Sequence, residues 1–83
     1  MEANAAVTLA DLGAAETGTI LEITGDASQR QRLSEMGMTP GCPVRVICSA
    51  PLGDPFVVEM RNFRFAMRRG ASRNVIVSRV QPA

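Results

Sequence analysis

The chain has 83 residues and a net charge of +1; 46% of it is hydrophobic and 20% charged, with no His, Lys, Trp or Tyr. That length predicts a single domain over residues 1–83, with a small aliphatic core completed by Met and three Phe. Without His or Lys there is no Ser-His or Cys-His nucleophile pair, no Schiff-base lysine and no phosphate-loop motif, so an enzyme is not expected. No apolar run reaches the length of a membrane span, so no direct membrane insertion is expected.

The opening Met1-Glu2-Ala3-Asn4 lacks a basic n-region, which predicts a cytoplasmic protein. Residues 7–12 supply an opening strand and turn. Residues 17–24 read as a strand punctuated by Gly18 and Gly25. A helix of about two turns follows over 29–36. Ser28 is its expected N-cap, because Gln31 three residues on completes a capping box. Leu33 and Met36 fall on one helix face at i, i+3 spacing. Gly37 is placed where the chain turns left-handed, and Met38 folds back onto Leu33 in a Schellman ending. Pro40 prevents the helix from resuming, and Gly41 completes the stop signal. So short a helix must be held by packing.

Beyond it, residues 43–49 form a strand with Val44, Val46 and Cys48 on one face and Arg45 on the other. The loop over 49–55 carries Pro51 and Pro55, which lower its unfolded-state entropy and fix its shape. Leu52 at its tip either folds onto the barrel or meets a partner. Residues 56–60 and 63–67 form a hairpin through Arg61-Asn62, where Asn62 tolerates the left-handed region. Phe56, Val58, Met60, Phe63, Phe65 and Met67 point inward, leaving Arg64 and Arg68 outside. Residues 69–72 make a tight turn or one turn of helix. A last strand covers 74–80, and Val75-Ile76-Val77 has the look of a segment buried on both faces. Five or six short strands, tight turns and one short inserted helix predict a mostly β, closed small barrel, a solution that removes exposed edges.

Cys42 and Cys48 lie at the two ends of one strand, roughly 20 Å apart, too far for a disulfide or a shared metal. Two free thiols suit a reducing compartment. The acids show no metal-ligand spacing, so neither a metal nor any other cofactor is expected. Charge is unevenly spread: residues 1–60 carry eight acids and three arginines, whereas residues 61–83 carry six arginines and no acid. The arginines either pair with acids on neighbouring strands or contact an acidic partner. Nucleic acid is not expected, because stacking aromatics are missing from the outward positions.

Several segments together resemble the FeoA family, small cytoplasmic components of bacterial ferrous iron transport, and the resemblance implies a domain core over about residues 8–80. They are Thr8-Leu9-Ala10-Asp11-Leu12, Gly18-Thr19-Ile20, Arg32-Leu33-Ser34-Glu35-Met36-Gly37-Met38-Thr39-Pro40-Gly41, Ala50-Pro51-Leu52-Gly53-Asp54-Pro55, Ala66-Met67-Arg68-Arg69 and Val75-Ile76-Val77. The sequence departs from the family pattern at Gly13-Ala14-Ala15, where Pro-Gly is usual. The resemblance implies an SH3-like β-barrel and a non-catalytic role, binding or regulating the FeoB permease from the cytoplasmic side, with weak self-association compatible. Partner contact is expected at Pro51, Leu52, Gly53 and Asp54, with Arg64 and Arg68 as outward charges beside them. The alternative is an SH3-like domain that binds nucleic acid or an acidic peptide through its arginine face.

Overall fold

The computed structural model describes residues 4–49, 54–61 and 63–80. The strands are β1 (Asn4–Thr8), β2 (Thr17–Ile23), β3 (Pro43–Ser49), β4 (Phe56–Met60), β5 (Phe63–Met67) and β6 (Val75–Val80). The helices are α1 (Ala27–Glu35) and α2 (Arg69–Ser72), and a 3-10 turn covers Leu9–Asp11. All strand pairs are antiparallel, in the order β1-β6-β2-β3-β4-β5. Among the described residues β1 and β5 remain the two hydrogen-bonding edges, so the expected closure is not made by backbone pairing. The sheet instead wraps round one core: Leu9, Ile20, Val44, Val58, Met67 and Val77 belong to a single buried cluster.

Period-two alternation decides which residues enter that cluster. Phe56, Val58 and Met60 are buried while Val57 and Glu59 are half-buried. Val75 and Val77 are buried and Ile76 is half-buried, so β6 alternates and is not covered equally on both faces. Two bulges interrupt the ladder. One, between Ile20 and Glu22, leaves Leu21 as the extra residue, 47% exposed. The other lies between Val46 and Cys48 on β3.

α1 sits between β2 and β3, and its start differs from expectation. The N-cap is Asp26, not Ser28. The Asp26 carboxylate accepts the Gln29 amide at 2.8 Å, and the Gln29 side chain accepts the Asp26 amide at 3.3 Å. The box pattern occurs twice in this sequence, at Asp26/Gln29 and Ser28/Gln31. The earlier one makes the helix two residues longer, and Ser28 lies exposed within it. At the other end Gly37 has φ 95°. Its amide donates to the Ser34 carbonyl at 2.9 Å, and the Met38 amide to the Leu33 carbonyl at 3.0 Å. That pair of bonds is a Schellman ending, and Met38 and Leu33 are both in the core. Pro40 follows, then Gly41 at φ 91°.

Left-handed backbone also occurs at two residues with a Cβ, Ala15 (φ 69°) and Arg61 (φ 49°). In the β4–β5 hairpin, where Met60 pairs with Phe63, the left-handed residue described is thus Arg61. Asn62 lies outside the described residues.

Candidate functional site

The corner where β4, β5 and α2 meet holds two of the expected contact residues, Asp54 and Arg68. Met67 pairs with Phe56, so Arg68 and Asp54 lie next to one another beyond the ends of the two strands. α2 is a single turn whose N-cap, Arg68, gives no side-chain cap. Asp54 supplies it from across the corner: its Oδ1 accepts the Arg69 amide at 3.0 Å. Four positions back along the strand, roughly 13 Å away, Arg64 donates from Nε to Glu59 Oε2 at 2.9 Å. Pairing with a neighbouring-strand acid therefore describes Arg64, which stays mostly exposed. Arg68 is exposed and makes no ion pair among the described residues. Asp54 and Arg68 are brought together; Arg64 is not. Pro51, Leu52 and Gly53 lie outside the described residues.

Two arginines of the same series serve the fold instead. The Arg69 guanidinium lies over the Phe56 ring, 4.8 Å from its centroid, and Nη1 donates to the Ala10 carbonyl at 2.6 Å. It ties α2 to the 3-10 turn and to β4. Arg79 donates to the Asp11 carbonyl and approaches Glu16 at 3.6 Å. Asp11 itself accepts the Thr8 amide and hydroxyl, both at 3.0 Å. Those bonds, the backbone one foremost, hold the Asp11 carboxyl below the usual carboxylate range, helped by Arg79 and Arg73.

Helix α1 brings in residues that the sequence pattern did not mark as functional. Leu33 is buried, but Met36 on the same face is 37% exposed. Between α1 and the β5–α2 corner runs a groove of about 260 Å³, with Leu33, Met36, Met67 and Ala71 as its apolar lining and Arg32 and Arg68 at its polar margin. The signal in the sequence was the i, i+4 pair Arg32 and Met36. It was masked because Met36 also fits the helix's core face.

Cys42 is a buried free thiol, 4.0 Å from the Met60 sulfur. The Cys48 side chain lies outside the described residues. Among the described residues no three His, Cys, Asp or Glu side chains come together. No helix there is long and apolar enough to cross a membrane.

The sequence model of the FeoA domain matches residues 7–79. A crystal structure of an iron uptake regulatory protein, FeoA, is 32% identical, covers 90% of this chain and 99% of its own, and superposes with a TM-score of 0.82. FeoA of Stenotrophomonas maltophilia, solved in complex with zinc and described as a prokaryotic SH3 domain protein, is 27% identical. That match covers 86% of this chain and 88% of its own, with a TM-score of 0.75. A manganese-dependent transcriptional repressor shares the fold at a TM-score of 0.81 and 17% identity, over 93% of this chain but 43% of its own. A mostly β, SH3-like domain with a short helix between its second and third strands, matched over nearly its whole length, belongs to the FeoA family, implicated in ferrous iron transport.

Proposed function

We propose that this protein is a non-catalytic accessory protein of bacterial ferrous iron uptake that binds the cytoplasmic part of a FeoB-type permease. The observation that carries this reading is the family match over residues 7–79, joined by structural likeness to a FeoA that is 32% identical and described as an iron uptake regulator. The S. maltophilia relative has been raised as a candidate activating factor for ferrous iron transport. Composition supports a role without catalysis, since the chain has no His or Lys to activate a nucleophile.

The proposed contact is the Pro51-Leu52-Gly53 segment with Asp54 and Arg68 beside it. Leu52 supplies apolar area. Arg68, with Arg64 farther along the hairpin, steers and orients more than it tightens. Asp54 acts indirectly, holding the turn that carries Arg68.

A pull-down against membranes containing the permease tests this. The tagged chain is expected to retain the permease, less so at high salt. Leu52→Ala is expected to weaken retention with the melting temperature unchanged, and Arg64→Glu with Arg68→Glu to abolish it. Failure of the parent chain to retain the permease, alongside a shift of nucleic acid, would favour the arginine-face alternative. Full retention by the double charge reversal would rule out this surface.

A further inference from the structure

We propose that the groove between α1 and the β5–α2 corner seats a partner segment in which one apolar side chain is flanked by carboxylates. The proposal rests on the chain being an interaction module, but not on the permease being its partner.

Size sets the first limit. At about 260 Å³ the groove is smaller than the roughly 300–1,000 Å³ of small-molecule sites, so it fits one or two side chains rather than a cofactor. Its floor is apolar: Leu33 and Met67 are each only 5% exposed, and Ala71 extends the apolar surface. Met36 forms one wall and remains 37% exposed. A flexible, polarizable thioether adapts to varied apolar partners.

Charge sets the second. Arg32 on α1 and Arg68 before α2 lie on this groove, and among the described residues no acid lines it. Neither arginine has an ion pair among the described residues, where Glu59 is engaged by Arg64 and Glu16 by Arg79. Asp54 and Asp26 are engaged too, at the first turns of α2 and α1. The groove therefore presents an apolar floor between two exposed guanidinium groups, which favour carboxylates in planar, paired contacts. Among the described residues no aromatic side chain lines it, which leaves no stacking platform for bases there.

The test is a display library of random twelve-residue peptides selected on the full chain, followed by amide chemical-shift mapping of the enriched peptides. Enriched sequences are expected to share one Leu, Ile, Met or Phe flanked by at least two Asp or Glu. Their shifts should centre on Leu33, Met36, Ala66 and Ala71. Met36→Gln is expected to weaken binding at least tenfold. Arg32→Glu, which changes the charged margin and leaves the Met36 side chain in place, should do the same and should also remove the salt dependence. Both variants are to be checked for a parent-like melt.

Absence of enrichment, enrichment without acids, shifts mapping elsewhere, or variants that bind as the parent does would each overturn the proposal. Concentration-dependent shifts at these residues without peptide would make a second copy the occupant, and would overturn it too. The permease domain is assayed in parallel. Peptides that bind the groove while the permease does not would sink the proposed function and leave the groove standing. A permease that binds the parent chain while no peptide is enriched on the groove would sink the groove and leave the proposed function standing.

Discussion

Gly37 and Ala15 occupy the same kind of left-handed backbone with opposite consequences. At Gly37 the φ of 95° costs nothing sterically, and it lets both Schellman bonds form and Met38 fold back beside Leu33. Gly37→Val is expected to lower stability by more than about 1 kcal/mol, since a β-branched residue resists positive φ. Ala15 at φ 69° carries the strain that a glycine would not. Its amide still donates to the Val46 carbonyl at 2.7 Å, which fixes the turn before β2. Ala15→Gly is therefore expected to stabilise by about 0.5–1 kcal/mol, the relief of strain exceeding the added entropy of the unfolded chain. Urea melts check both. A Gly37→Val melt matching the parent, or a destabilised Ala15→Gly, would remove the backbone argument at that position.

Elements of this size are held by contacts from elsewhere in the chain. α2 has four residues, and its position depends on Asp54 at its first amide and on Arg69 gripping Ala10 and the Phe56 ring. Arg69→Ala is expected to cost about 1–2 kcal/mol, from a charge-assisted hydrogen bond and a ring contact. Arg68→Ala, one residue earlier and exposed, is expected to leave the melt unchanged. Equal melts for the two variants would mean that Arg69 is not a structural tie. This contrast also marks how far the sequence could be read. Strands 43–49, 56–60 and 63–67 follow from alternation and turn residues, and the helix stop from Gly37 and Pro40. The helix start did not, because two overlapping capping boxes compete and local pattern does not rank them. Nor did the split among Arg64, Arg68, Arg69 and Arg79. Whether an arginine faces solvent or a carbonyl depends on partners such as Ala10 and Asp11, which are remote in sequence. The groove was hidden for the same reason, since α1 meets β5 and α2 only in the folded chain.

At the scale of the whole molecule, stability and binding draw on the same uneven charge. Asp11 links Thr8 of β1 to Arg79 of β6, and its folded-state carboxyl is depressed chiefly by the Thr8 amide. A depressed carboxylate stabilises fully above its unfolded value, about 3.9, and that contribution is lost as pH falls through the folded value. Asp11→Asn is therefore expected to be less stable than the parent near neutrality, with the gap closing below about pH 4. A gap constant from pH 7 to pH 2 would contradict this. Arg32 and Arg68 are exposed and line the same groove, which suits an acidic partner, and Arg64 is exposed on β5 beside Glu59. The proposed role of this FeoA-family domain turns on its binding a ferrous iron permease. Calorimetric titration of the full chain against the purified cytoplasmic domain of a FeoB-type permease measures it most directly, at low and at high salt. A saturable complex is expected, one that weakens as salt rises and is lost on Arg64→Glu with Arg68→Glu. No heat of binding at either salt, with both proteins folded, would contradict it.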